Sequence, residues 1–351
     1  MTTTPPKNSL CILLLNYNGA GLIERCIESF CRQTLLPDQV MFIDNGSDEF
    51  NENHYRKLFG EKYQHRLKFL RLEKNVGYAR AMNHGLRISI DNSFDWIMTL
   101  SNDTELDAEY FQNFNALFPL PLEVGMLSPK VRSIQERTKL DATGLAMSLD
   151  GMSSARGQRE EDLGQYDHLT DILMPNGVSG IYSNKLLTEV GVLDESFEAY
   201  CEDIDLGLRA WLAGWNCKFI PKSIVYHARS ATYGEFSLQK LYLVERNHYW
   251  VAIKNLPLPL VILNPLFTFY RYLMQVYAVL TGSGQGSGYG TKYPITRLLS
   301  TTLKALLHAV LGAPRAFGQR LHIRALRKRS YFEMLSAFWR RRMRFRELIL
   351  K

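Results

Sequence analysis

The sequence predicts an α/β protein: a parallel sheet covered on both faces, followed by a helical region of different character. Three observations carry this. Short continuous apolar runs alternate with amphipathic stretches through the first hundred residues, each run ends in polar or glycine-rich residues, and residues 256–351 change composition. The runs occupy residues 10–15, 40–43, 67–72 and 96–100. They end in Asn16-Tyr17-Asn18-Gly19, Asp44-Asn45-Gly46-Ser47-Asp48, Glu73-Lys74-Asn75-Val76-Gly77-Tyr78 and Ser101-Asn102-Asp103-Thr104. Amphipathic helices are expected over residues 22–31 and from Tyr78 through Arg87. In such sheets ligands bind beyond the carboxyl ends of the strands. Turn chemistry alone places Asn, Asp and Gly at strand ends. Four such ends in succession, two of them delivering a lone Asp, mark a ligand-binding rim.

The stretch Tyr200-Cys201-Glu202-Asp203-Ile204-Asp205-Leu206 places three carboxylates at the start of another helix. From Ile204, apolar or small residues recur at Gly207, Leu208, Trp211 and Leu212, and Gly214 supplies a stop. Asp205 and Arg209 stand four apart and can pair. Glu202 and Asp203 sit at the helix mouth, where the dipole favours the ionised form. An ionised carboxylate on a rigid element suits a reaction that takes a proton from an alcohol; helix capping is the competing reading. His227 follows a strand-like run at 217–226. It reads either as a metal ligand or as a hydrogen-bonded strand-end residue.

These residues, in this order, resemble family 2 inverting glycosyltransferases, in particular the branch that includes bacterial rhamnosyl- and galactofuranosyltransferases. The resemblance rests on Asn16-Tyr17-Asn18, Ile43-Asp44-Asn45-Gly46-Ser47, Asn75-Val76-Gly77-Tyr78-Ala79 with Asn83, Leu100-Ser101-Asn102-Asp103, Glu202-Asp203-Ile204-Asp205-Leu206 with Arg209, and His227, and it covers roughly residues 9–255. It implies a single nucleotide-sugar-binding transferase domain with a mixed, mostly parallel sheet, and a nucleoside-diphosphate sugar as donor. Asn16, Tyr17, Asn18, Asp44, Asn75, Gly77, Arg80, Asn102 and Asp103 would line the nucleotide side. Asp44 suits the N–H of a uracil or thymine ring, with an Asx turn as the alternative. Gly77 permits backbone approach to phosphate at a helix start, and Arg80 would add a positive charge. Asp103 and, as in relatives, His227 would hold Mg²⁺ or Mn²⁺ against the diphosphate. Ser101 stands where the family more often has Asp or Asn, which leaves one carboxylate in that motif. Asp203 is the first choice as catalytic base and Glu202 the second; Asp205 reads as structural.

Residues 123–170 are the least legible. A strand is expected at 124–131 and an exposed loop at 148–165, the loop covering the donor or contacting the acceptor. A glycine-rich turn, Asn176-Gly177-Val178-Ser179-Gly180, precedes a helix at 184–190. Residues 1–255 are thus read as the catalytic domain and 256–351 as a helical, basic and aromatic membrane-associating region. Residues 256–280 are apolar but interrupted by Pro257, Pro259, Pro265 and Arg271, as in an interfacial or re-entrant segment rather than a span. Residues 282–290 read as a Gly/Ser linker.

Residues 312–351 hold twelve Lys or Arg against two Glu, +10, which leaves −3 of the chain's +7 for residues 1–311. The basicity therefore belongs to the tail. Leu303, Leu306, Leu307, Val310 and Leu311 form a helical stripe, and Phe338, Trp339, Met343 and Phe345 interleave with arginines up to Arg346. Such helices suit an anionic membrane surface. Five cysteines, an odd number without metal spacing, suit a reducing compartment. Residues 1–9 lack the apolar stretch of a signal peptide.

The resulting expectation is a metal-dependent inverting enzyme at the cytoplasmic face of the cell membrane. It would move a sugar, rhamnose from a thymidine nucleotide first and a uridine-linked hexose second, to a lipid-linked glycan or polysaccharide hydroxyl. The alternative is a non-catalytic nucleotide- or nucleic-acid-binding membrane scaffold with a degenerate transferase fold. No nucleic-acid partner is expected, since the body is net negative and has no zinc-finger or RNA-recognition pattern. The first strand is also not followed by G-x-G-x-x-G, which argues against a nicotinamide enzyme.

Overall fold

The computed structural model describes residues 8–229, 234, 236–281, 287–342 and 344. It divides into two compact units. The first contains the residues up to 144 together with 155–210 and 215–229; the second contains 145–154, 211–214 and the residues beyond 229.

In the first unit the four apolar runs are strands β1 (Leu10–Asn16), β2 (Gln39–Asp44), β3 (Leu67–Arg71) and β4 (Trp96–Ser101). All are parallel: β1 lies between β2 and β4, and β3 flanks β2. Helices α1 (Leu22–Cys31), α2 (Glu52–Phe59) and α3 (Tyr78–Asp91) connect them. β1 is buried along its whole length, as a run without polar alternation requires. Ile23, Cys26, Ile27 and Phe30 of α1 pack with Ile12, Leu14 and Phe42 in the core beneath it. Register pairs Asn16 with Asp44 and Leu15 with Ser101, so three strands end level at one edge.

Beyond β4 the chain forms β5 (Thr104–Leu106), α4 (Tyr110–Asn115), β6 (Val124–Ser133), β7 (Leu140–Ala142), and a separate pair, β8 (Leu145–Met147) and β9 (Ser153–Ala155). Then come β10 (Asp171–Ile172), β11 (Ile181–Ser183), α5 (Asn184–Val190), α6 (Glu202–Leu212) and β12 (Asn216–His227). The main sheet runs β10-β12-β6-β11-β4-β1-β2-β3, with β5 on β12 and β7 on β6. β11 is antiparallel to both β4 and β6, while β12 is parallel to β6. The sheet is therefore mixed and mostly parallel, as the resemblance implies.

The second unit carries α7 (Leu238–Asn255), α8 (Leu258–Leu280), α9 (Ser287–Lys292), α10 (Ile295–Leu326) and α11 (Tyr331–Arg341). α7 packs on α10: Trp250 Nε1 donates to the Ala309 carbonyl at 3.0 Å, and Arg320 Nη1 donates to the Ile253 and Leu256 carbonyls at 2.8 Å. Among the described residues, no helix is long and apolar enough to cross a membrane.

Residues 256–280, in the region read as helical, contain one 23-residue helix. Pro257 precedes it and Pro259 lies in its first turn, where no N–H is needed, so only Pro265 falls inside. Residues 148–165 are not an exposed loop. Ser148 and Asp150 are buried, with the Ser148 hydroxyl 2.5 Å from Asp150 Oδ1, because Asp150 is a counter-ion of buried Arg271. Asp162 is likewise held by Lys130 at 3.1 Å and by Arg132. Residues 287–290, read as linker, begin α9; residues 282–286 and Met343, Phe345 and Arg346 lie outside the described residues.

Candidate active site

The site grows from the mouth of α6. Asp205 is fully buried and binds Arg209 Nε at 2.8 Å, the four-residue pairing the sequence indicates. The same guanidinium donates to the Val190 and Val192 carbonyls at 2.5 and 2.7 Å, which fixes the helix against α5 and the turn after it. Three of the four residues entering α6 have left-handed backbone without being glycine: Glu198 (φ 65°), Tyr200 (φ 66°) and Cys201 (φ 72°). Such conformations persist only where the surroundings over-determine them.

Glu202 and Asp203 follow immediately. Asp203 Oδ1 accepts the Ile204 N–H at 2.8 Å, whereas Glu202 Oε2 is buried with no hydrogen-bond partner among the described residues. Burial raises both carboxyls above the ordinary range, and the neighbouring Asp203 charge raises Glu202 further. Backbone N–H groups, including that of Gly177, pull Asp203 back down. Two adjacent buried carboxylates cannot both ionise cheaply. Asp203 accepts more backbone N–H groups than Glu202 does, which favours the charge on Asp203 over the charge on Glu202.

Gly177 leaves room for this charge. A Cβ at position 177 would lie 2.5 Å from Asp203 Oδ2. The glycine-rich turn is tied to the strand rim, because the Ser101 N–H donates to the Val178 carbonyl at 3.1 Å and the Tyr78 hydroxyl to the Gly177 carbonyl at 3.3 Å. We expect Gly177→Ala to displace Asp203 and lower turnover by about 10²-fold with little change in thermal midpoint; steady-state kinetics and a melting curve on the same sample check this.

The strand ends are linked to one another. Asn102 Nδ2 donates to Asn16 Oδ1 at 2.9 Å, and Asn16 Nδ2 reaches Asp44 Oδ1 at 3.4 Å. Asp44 is sealed from solvent and accepts the Ser47 N–H at 3.1 Å, the Asx turn that competes with a nucleobase role. Asn18 and Asp48 exchange two 2.9 Å hydrogen bonds, and Tyr17 beside them is half-buried. Asn75 Oδ1 accepts the Gly77 N–H at 2.9 Å and Asn45 Nδ2 at 3.1 Å. Gly77 (φ 85°) precedes α3 in a backbone conformation that suits glycine, but the Ala79 N–H is taken by the Glu198 carbonyl at 3.2 Å. Arg80 sits in an ion pair with Glu195 at 3.1 Å, shared with Arg87, which is where the structure places the charge expected near phosphate.

Asp103 and His227, 124 positions apart, are brought together: Asp103 Oδ2 is 3.3 Å from His227 Nε2. Register places His227 opposite Thr104 on the β5–β12 ladder. His227 Nδ1 is 2.7 Å from Asp141 Oδ2 on β7, so the ring is oriented from behind. Burial alone would lower the pKa of His227; hydrogen bonds and charge from Asp103 and Asp141 outweigh it and raise it to about 9. Among the described residues, no group of three His, Cys, Asp or Glu is placed to hold a metal ion. The Asp103–His227 pair still fits a hard divalent ion whose other ligands come from a diphosphate.

Sequence reasoning missed Asp141, Asn45 and the strained approach to Glu202. Asp141 lies in the illegible middle segment and carries no motif. Asn45 stands in the second strand-end motif, where it reads only as a turn residue.

A mixed sheet with polar strand ends, a buried acid pair opposite a glycine turn and a carboxylate–imidazole pair are thus gathered in the first unit. Comparison with known proteins gives the family. The Glycosyl transferase family 2 profile matches residues 11–121 and the Glycosyl transferase family group 2 profile matches residues 96–313. The chain belongs to glycosyl transferase family 2. It is 23% identical over 278 residues to a poly-beta-1,6-N-acetyl-D-glucosamine synthase of Staphylococcus epidermidis, a match of 76% of this chain and 62% of that protein. The chain thus spans about three-fifths of that relative's length. Among solved structures, S. aureus TarS 1-349 in complex with UDP-GlcNAc shares the fold with a TM-score of 0.53 and 16% identity, over 94% of this chain and 89% of that one. GalNAc-T7 with UDP, GalNAc and Mn²⁺ does so with a TM-score of 0.53 and 14% identity, over 70% and 48%.

Proposed function

We propose that the chain is an inverting glycosyltransferase that moves a sugar from a nucleoside-diphosphate donor to an acceptor hydroxyl, with Asp203 as general base. The observation that carries this is the division of labour at the mouth of α6. One buried carboxyl leaves an oxygen without a partner among the described residues, as a neutral acid tolerates, while its neighbour accepts backbone N–H groups and has only a glycine, Gly177, beside it, as a carboxylate favours. An acceptor hydroxyl presented to Asp203 would lose its proton as it attacks the anomeric carbon opposite the leaving nucleotide. Asn16, Asn102 and Asp44 tie the strand ends into the floor on which the nucleotide would rest, with Tyr17, Asn18, Asn75, Gly77 and Arg80 around it.

Asp103 and His227 would hold Mg²⁺ or Mn²⁺, which supplies positive charge to the departing diphosphate when bound. The names of the relatives put a uridine-linked N-acetylhexosamine ahead of thymidine-linked rhamnose as donor. The acceptor is a lipid-linked glycan or a growing polysaccharide, and the place of action is the cytoplasmic face of the membrane, with residues 256–351 as the associating region. Holding the enzyme where the acceptor is confined raises its effective concentration.

The test is donor turnover across a panel of nucleotide sugars with Mg²⁺, Mn²⁺ or a chelator, a lipid-linked acceptor being supplied. Turnover of one donor that the chelator abolishes is expected. In Asp103→Ala, both turnover and the Mn²⁺ affinity measured by electron paramagnetic resonance with UDP present should fall by at least about tenfold. No binding of any donor, even with acceptor present, would instead favour the non-catalytic scaffold.

A further inference from the structure

Helix α8 is inside out. Its polar residues Asn264, Thr268 and Arg271 are buried, while Ile262, Leu266, Phe269, Leu273, Val276 and Tyr277 recur every three or four residues and stand 51–69% exposed. The buried side is fully satisfied. Arg271 Nε binds Asp150 Oδ2 at 2.6 Å, and its two terminal nitrogens bind the two Glu245 oxygens at 2.8 and 2.9 Å. Asn264 Nδ2 donates to the Asp150 carbonyl at 2.6 Å, and the Tyr272 hydroxyl to Glu245 at 2.9 Å. A helix in water presents the opposite arrangement. This one keeps Asn264, Thr268 and Arg271 for protein and offers a mainly aliphatic and aromatic face, Tyr270 and Tyr277 included, to the outside, which is the solvent preference of a helix facing lipid.

α10 repeats the pattern with charge added. Ala305, Ala309, Ala316 and Ile323 are its buried side, and Leu299, Leu303, Leu306, Val310, Phe317 and Leu321 stand 39–68% exposed. Arg297, Lys304 and Arg315, also exposed, lie seven and eleven residues apart, on one row of a helix with 3.6 residues per turn, bordering the apolar stripe. Neither helix is long and apolar enough to cross a membrane.

We propose that the exposed faces of α8 and α10 embed in one leaflet of an anionic bilayer, so that the second unit is a monotopic anchor. The basic row of α10 meets the phosphate headgroups, and the buried Arg271 cluster holds α8 so that its hydrocarbon side faces the lipid. The charge match between that row and an anionic surface favours a membrane over a second copy of the chain, for which the row would be repulsive. This deepens the membrane placement proposed above and rests on it, but not on the identity of the sugar.

Flotation of the full chain with vesicles tests it without donor or acceptor, so that failure here and failure of the transferase reading are separate results. Wild-type protein should float with phosphatidylglycerol–phosphatidylcholine vesicles and more weakly with phosphatidylcholine alone. Each of Leu266→Gln, Phe269→Gln and Leu273→Gln, at exposed positions, should lower the partition coefficient by about tenfold with an unchanged melting midpoint. Each of Arg297→Gln, Lys304→Gln and Arg315→Gln should lower it by about fivefold on anionic vesicles only. Absence of wild-type flotation, or retention of full binding by the combined Leu266, Phe269 and Leu273 variant, would overturn the proposal. So would a dimer in sedimentation that the combined variant dissolves while vesicles are ignored.

Discussion

Asp203→Asn is expected to lower transfer turnover by about 10²–10⁴-fold, with donor affinity and fold retained. The amide keeps the shape and still accepts the Ile204 N–H at Oδ1, but it takes no proton. Glu202→Gln should be mild, within about tenfold, because glutamine resembles the neutral acid that the orphaned, buried Oε2 indicates. Reversal of that ranking would make Glu202 the base. The pH profile carries the same information. Asp203 loses its proton above the ordinary carboxylate range, so kcat/KM should rise with pH through that raised value and flatten beyond it. Stability moves the other way. A carboxyl whose pKa is raised by folding binds its proton more tightly in the folded state. Its contribution is therefore full at acid pH and is lost as pH rises from the ordinary range through the raised one. Glu202→Gln should consequently melt higher than wild type at mildly alkaline pH and level with it in acid, as read by thermal denaturation at two pH values.

Arg271→Met is the largest expected loss of stability, about 3–5 kcal/mol. Arg271 is completely buried, and its removal strands Asp150 and Glu245, both held below their ordinary pKa against burial mainly by the guanidinium charge. The pair contributes little beyond an apolar substitute of the same volume, because desolvation offsets most of the attraction. Arg271→Met combined with Asp150→Asn and Glu245→Gln should therefore recover most of the loss. Urea unfolding of the three proteins checks both statements. A single variant as stable as wild type would mean that water already reaches the cluster.

Much of the first unit was legible because β1, β2 and β4 are buried on both faces. An uninterrupted apolar run followed by Asn, Asp or Gly suits little besides a buried strand running into a turn, and β1 to β4 and α1 fall within a residue or two of the expected bounds. α6 was legible for another reason: its period, the Asp205–Arg209 spacing and the Gly214 stop all agree. The middle segment was not, since β7 to β10 are two or three residues long and take their form from partners far away in sequence. Asp150 illustrates the difficulty. In sequence it sits among Gly, Ser and Arg as any solvated loop residue would, and only its 121-residue reach to Arg271 explains its burial. The site followed the same division: Asp103 and His227 were nameable from their strand ends, whereas Asp141 was not.

The left-handed stretch at Glu198, Tyr200 and Cys201 sets the terms on which this protein could be made hardier. Glycine adopts such backbone without penalty, so relief of strain there is an accessible route to heat tolerance. The same freedom would loosen the entry to Glu202 and Asp203. Under the proposed role of Asp203, selection for robustness and selection for turnover would pull on this short approach in opposite directions.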